Sequence, residues 1–157
     1  MEGNSHFMQR AIELATANAQ AHAGGPFGAI VVRDGEIIAT GVNQVTSTND
    51  PTAHAEVVAI REACRAMGSF KLTGCVVYTS CEPCPMCLAA LYWAHVDAIF
   101  YGNSASDAAA AGFDDAFLYA ELSRPHDQRR IPMTRLLAED AIESFEVWRA
   151  LPNRIDY

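Results

Sequence analysis

The sequence predicts an α/β domain with helices on both faces of a mixed sheet, a three-layer α/β/α sandwich. Three observations predict it. Two β-rich runs flank Asp34-Gly35, the signal of a tight hairpin. Helical and strand patterns then alternate along the chain, as they do where crossover helices cover a sheet. Half of the residues are hydrophobic and 19% are charged, enough apolar surface to bury a core. A length of 157 residues fits one compact domain, so residues 1–157 are expected to form a single unit.

Phe7, Met8, Ala11, Ile12 and Ala15 recur at helical spacing and predict an amphipathic helix over about 6–22. Gly24-Gly25-Pro26 ends it. Ala29 to Arg33 and Glu36 to Thr40 are the two arms of the hairpin. The loop-like Asn49-Asp50-Pro51-Thr52 feeds a helix from about Ala53 to Met67, whose apolar face includes Val57, Ile60 and Cys64. Cys75 to Thr79 is a short, nearly continuous apolar strand. Pro85 suits the first turn of a helix, so Pro85 to Ala94 reads as helical, and Asp97 to Tyr101 as the next strand. One or two helical pieces follow Gly102 and end near Glu121. Ser123 to Arg130 is a polar loop, Pro132 to Leu137 another strand, Ile142 to Leu151 a last helix, and Pro152 to Tyr157 a tail.

Acidic residues number 19 and basic ones 11, a formal charge of −8, and Lys71 is the one lysine. Nucleic-acid binders need clustered Lys and Arg to displace counterions, so this balance argues against nucleic acid as a partner. No segment reaches the roughly 18 consecutive apolar residues of a membrane span, so no membrane partner is expected. The stretch Met1 to His6 lacks the basic and apolar regions of a signal peptide. The cysteines are Cys64, Cys75, Cys81, Cys84 and Cys87. An odd count with three so close together is a metal or redox pattern more than a disulfide framework, and a reduced, cytoplasmic protein follows as the default.

Two segments carry the chemistry: His54-Ala55-Glu56 at the start of one helix, and Pro83-Cys84-Pro85-Met86-Cys87 at the start of another. Cys84 and Cys87 are one helical turn apart, so both sulfurs can face one point. A helix N-terminus also favours their thiolate forms. With the imidazole of His54 they make a sulfur and nitrogen donor set that selects Zn2+. Three protein ligands leave a fourth position open, the mark of a catalytic zinc that holds and acidifies a water. Glu56 is not expected to ligate; a carboxylate beside that water can take its proton and deliver it elsewhere. Cys81 and Cys84 have the same spacing as the chosen pair, but Pro85 favours the later one, and Cys81 reads as a buried thiol. A structural zinc would need a fourth ligand, and none of His6, His22, His95 and His126 sits at a ligand-like spacing.

A histidine, an acid two residues on, and about 30 residues later Pro-Cys-x-x-Cys form the signature of the zinc deaminases. At these residues the chain resembles the cytidine-deaminase-like superfamily of zinc nucleobase deaminases. Its closer likeness is to the bacterial guanine deaminases. That likeness rests on Gly24 to Ala29, Asn49 to Val57, Thr79 to Cys87 and Gly112-Phe113-Asp114-Asp115, and on the C-terminal segment with Trp148. The resemblance implies a five-stranded sheet, one Zn2+ per chain with a bound water or hydroxide, and hydrolysis of guanine to xanthine and ammonia in purine catabolism or salvage. It implies Asp115 as a second catalytic group facing the amino and N1–H edge. It also implies a homodimer in which about 152–157 form a lid, over the chain's own site or swapped onto its partner's.

The substrate-binding set that goes with the resemblance is Asn43, Phe27, Ala55, Trp93 and Tyr157. Asn43 offers one donor and one acceptor to the O6 or N7 edge of a purine, or serves a turn. Phe27 and Trp93 sandwich a flat ring, or pack in the core and, for Trp93, an interface. Asp114 or Asp115 caps a helix instead. Tyr157 reaches the substrate from the tail, or the terminus frays. Rival readings are a deaminase of guanosine, of cytosine, or of adenosine in transfer RNA, the last disfavoured by charge. From another class comes a zinc-stabilised interaction module without catalysis.

Overall fold

The structure, a computed structural model, describes residues 2–156. Contacts divide the chain into two units, Met1–Ala116 and Phe117–Tyr157. The first unit begins with α1 (Ser5–Gln20), capped by the Asn4 side chain, which accepts from the His6 amide. The hairpin follows as β1 (Gly28–Arg33) and β2 (Glu36–Val42). Asp34 and Gly35 both have positive φ, at 52° and 81°, the backbone that a two-residue turn between twisted strands requires. A one-turn α2 (Val45–Thr48) comes next, just ahead of the loop-like Asn49-Asp50-Pro51-Thr52.

Then come α3 (Ala55–Met67), β3 (Cys75–Cys81), α4 (Pro85–Trp93), β4 (Ala98–Asn103) and α5 (Ala105–Ala110). The sheet order is β2-β1-β3-β4. β1 runs antiparallel to both β2 and β3, while β3 and β4 are parallel and joined across α4. The period of two along β1 divides the core. Ala29 and Val31 pack on one face with Ala55, Ala59 and Ala63 of α3 and Leu91 of α4. Ile30 and Val32 pack on the other with Ala11 of α1 and Tyr78. The α/β/α layering is therefore as expected. At Gly41 a Cβ would fall 2.2 Å from the Ala55 carbonyl oxygen, so glycine lets α3 lie directly on β2.

The count of strands differs from the expectation. The described residues form a sheet of four strands, not five. Residues 132–137 form no strand. Pro132 has no N–H to give a ladder, and Leu137 takes a positive φ of 49° that a strand does not allow.

The second unit holds most of α6 (Ala116–Ser123), a short 3-10 helix (His126–Gln128) and α7 (Ala138–Ala150). The last helix starts four residues ahead of Ile142, because Glu139 and Asp140 suit a first turn rather than a loop. None of the described residues of this unit is buried, and Ile131 and Leu136 are 80% and 79% exposed. Among the described residues no helix is long and apolar enough to cross a membrane.

Candidate active site

Two helix N-termini build the site. His54 is the N-cap of α3 and Cys84 the N-cap of α4, both in extended backbone conformation. Their carbonyl oxygens accept the first helical bonds, from the Val58 and Leu88 amides. Pro85 supplies the first helical residue of α4, where a missing N–H costs nothing, and Cys87 completes the turn. His54 Nδ1 lies 3.6 Å from Cys84 Sγ and 3.5 Å from Cys87 Sγ. A tetrahedral zinc with bonds of about 2.3 Å to sulfur and 2.0–2.1 Å to nitrogen needs N and S about 3.6 Å apart. Both nitrogen–sulfur distances therefore match that ion. Among the described residues no other His, Cys, Asp or Glu joins these three.

The protons of the trio are unevenly held. The Cys87 S–H donates to Cys84, which together with His54 brings the Cys84 thiol down to about 4. Cys87 is pushed up by that same bond and by burial, and His54 is raised mainly by its contact with Cys84. One thiolate is thus ready before any metal arrives. Cys81 stays apart: it is buried, its Sγ is 3.8 Å from the Ser104 carbonyl oxygen, and burial pushes its thiol up to about 11.

His54 and Cys84 open on a cavity of about 340 Å³, while Cys87 is fully buried and outside its lining. Glu56 lies in its wall, 5% exposed, and Thr79 Oγ1 donates to its Oε1 at 2.7 Å. Asn43 also lines the cavity. Its Oδ1 accepts from the Gly25 and Val45 amides at 3.4 and 3.2 Å, so the acceptor is committed to the backbone and Nδ2 is the group left for a ligand. Phe27 meets Phe113 edge to face, with ring centroids 4.9 Å apart, and both line the cavity.

Asp114 and Asp115 are both at the wall, but they differ. Asp114 Oδ1 accepts from the Ala116 amide at 2.9 Å, whereas Asp115 is raised by burial first and then by the negative charge of Cys84. Ala55 lies between the ligand and the acid with its side chain fully buried in the core, away from the cavity lining. Trp93 ends α4, is 65% exposed and is not among the lining residues. Tyr157 lies outside the described residues.

Sequence reasoning did not single out Thr79, Glu82 and Phe113 as site residues. Thr79 is fully buried on β3, a polar residue amid an apolar strand, which is the signal that marks it. Glu82 Oε2 accepts from the Ala105 amide at 3.0 Å and ties the Cys84 loop to α5. The lining includes Glu56, Glu82, Asp114 and Asp115 but no Lys or Arg, so it suits an uncharged ligand rich in N–H donors.

Residues 1–103 match the family model of the cytidine and deoxycytidylate deaminase zinc-binding region. The chain is 51% identical to guanine deaminase of Bacillus subtilis, over 96% of its own length and 97% of that protein's. It superposes on the X-ray structure of guanine deaminase from Bacillus subtilis with a TM-score of 0.96, covering 99% of each chain at 49% identity. It is also 38% identical to the tRNA-specific adenosine deaminase of Aquifex aeolicus, over 83% of this chain and 84% of that one.

Proposed function

Because the chain belongs to the cytidine and deoxycytidylate deaminase zinc-binding family, we propose that it hydrolyses guanine to xanthine and ammonia. It is a zinc-binding hydrolase by that membership. One observation carries the choice of base: the Glu56 carboxylate opens on the same cavity as His54 and Cys84 of the metal trio, in a chain that matches a guanine deaminase almost end to end. Zinc held by His54, Cys84 and Cys87, one ion per chain, supplies the acidity that makes a water nucleophilic near neutral pH.

The chain's own groups do the rest. Addition of water at C2 leaves a proton to be moved, and Glu56 takes it and delivers it to N3. Glu56 then takes the remaining proton of the new C2 hydroxyl and passes it to the departing amine as the C2–N bond breaks and the C2 carbonyl forms, so one carboxylate serves as base and acid. Thr79 holds one carboxylate oxygen still while the other acts. Asn43 Nδ2 donates to O6 or N7 of the base, and Asp115 accepts from the amino and N1–H edge. Phe27 stacks on the ring, with Phe113 set at its edge.

The exposed apolar side chains of the second unit, among them Phe117, Ile131 and Phe145, support a homodimer, because a solitary chain rarely leaves so much apolar surface in water. In that assembly Trp93 of α4 belongs to the covered surface, and residues 152–157, with Tyr157, close a site. Residues 1–157 then act as one deaminase domain, in the cytoplasm, serving purine catabolism or salvage.

Ammonia release by the zinc-loaded protein tests the proposal with guanine, guanosine, cytosine and adenine in parallel. Release from guanine is expected, and release from cytosine alone overturns it. Removal of residues 154–157 should cut turnover with the fold intact; unchanged turnover sinks the lid.

A further inference from the structure

We propose that Asn18 is a positioning residue for substrate recognition. It lies on the far helix α1, and it sets where Asn43 and Phe27 stand in the cavity. Asn18 is 7% exposed, and beside Ala11 and Ala15 it is the one polar side chain that α1 buries. A buried amide is costly unless it is bonded, so its contacts are specific ones. Its Nδ2 donates to two carbonyl oxygens at once, Gly25 and Asn43, each at 2.9 Å.

Those two carbonyls belong to the two segments that supply the cavity's recognition groups. Gly25 O also accepts from the Phe27 amide at 2.8 Å, which bends the chain just ahead of the Phe27 ring. The Gly25 amide returns to Asn43 Oδ1, and the Asn43 amide donates to Phe27 O at 3.1 Å. The result is a closed circuit of Asn18, Gly25, Phe27 and Asn43. Gly24 shows how tight it is, since a Cβ there would lie 2.1 Å from Asn43 O and 3.0 Å from Asn18 Nδ2.

Within the circuit the orientation of the Asn43 amide is fixed, oxygen to the backbone and nitrogen to the cavity. Loss of the Asn18 donors leaves two buried carbonyls less satisfied and frees the segments to drift apart. The metal trio and Glu56 sit on α3 and α4 and at their N-caps, outside the circuit. Asn18 therefore governs binding of the base and not the proton transfers. This inference rests on the cavity's role as a base-binding site.

The test is a double-substitution cycle in the zinc-loaded, full-length protein. Asn18→Leu keeps the volume and removes both donors; Asn18→Ser keeps one donor and serves if the leucine variant fails to fold. The KM for guanine should rise roughly tenfold in the leucine variant and less in the serine variant, with kcat little changed. In an Asn43→Ala background the same changes at Asn18 should cost clearly less, because only the part that places Phe27 remains. Amide hydrogen exchange at Phe27 and Asn43, read without substrate, should quicken in both variants. An unchanged KM, a loss confined to kcat, or full additivity with Asn43→Ala overturns the proposal. The unsubstituted protein reports separately on the substrate. If it releases ammonia from another base and not from guanine, the guanine reading fails and the cycle is read on that base.

Discussion

His54 and Cys84 hold the same place in two different helices. Each is the N-cap, with φ and ψ of −70° and 157° for His54 and −63° and 166° for Cys84, and their Nδ1 and Sγ atoms are 3.6 Å apart. The positive ends of two helix dipoles thus converge on one donor set, which favours thiolate there. The arrangement explains both sequence spacings. From the cap of α3, Glu56 is reached within the same turn; from the cap of α4, Cys87 is.

Zinc affinity should fall steeply with acid. Ligation needs two thiolates and a neutral imidazole. Cys84, at about 4, is already a thiolate at neutral pH, while Cys87 and His54 are both raised and so hold their protons more tightly than usual. Binding expels those protons, so raising the pH favours the metal and lowering it favours release. Competition against a chromogenic chelator between pH 6 and 8 should show affinity changing by about ten- to a hundredfold per pH unit. A flat profile contradicts the proton inventory.

Glu56→Ala should keep its zinc and lose turnover by about a hundredfold or more, the usual scale of a lost general base. Thr79→Val is the subtler variant. It is nearly isosteric and strips the Glu56 carboxylate of the hydroxyl at 2.7 Å. It should slow kcat and lower stability by about 1–3 kcal/mol, with Thr79→Ser restoring both. Metal analysis, steady-state kinetics and denaturant unfolding read the three effects. Full activity of Glu56→Ala removes the acid from the chemistry.

Legibility from sequence followed the range of the interactions. The hairpin turn was legible because Asp34-Gly35 carries its own backbone requirement. The metal trio was legible because each half is a local pattern at a helix start. The orientation of the Asn43 side chain was not, because the Gly25 amide that holds its Oδ1 lies 18 residues away. Thr79 meets Glu56 across 23, through strand and helix packing that no local pattern states. The strand expected over 132–137 failed locally: Pro132 brings no N–H to a ladder, and Leu137 takes a positive φ that ends any extended run.

The two neighbouring acids should separate on substitution. Asp114 spends an oxygen on the Ala116 amide, and Asp115 stands desolvated beside the negative Cys84. Asp115→Asn should lower kcat/KM for guanine by about tenfold or more, since it sets an amide donor against a donor edge where a carboxylate oxygen accepted. Asp114→Asn keeps an acceptor for Ala116 and should cost little. Equal losses at both positions would mean that their shared charge, and not one carboxylate, serves the substrate.

Gly41→Ala tests how closely the sheet holds the catalytic helix. A Cβ there meets the Ala55 carbonyl oxygen at 2.2 Å and the Ala59 nitrogen at 2.5 Å, and these are backbone atoms that cannot turn aside. The helix must shift outward, and it carries His54 at its cap and Glu56 in its first turn. Overpacking of this kind costs about 1–3 kcal/mol, read as a lower melting temperature. Because the displaced turn bears one metal ligand and the general base, kcat and zinc affinity should fall with it. A variant that melts lower yet turns over normally would show that α3 can move on the sheet without moving the site.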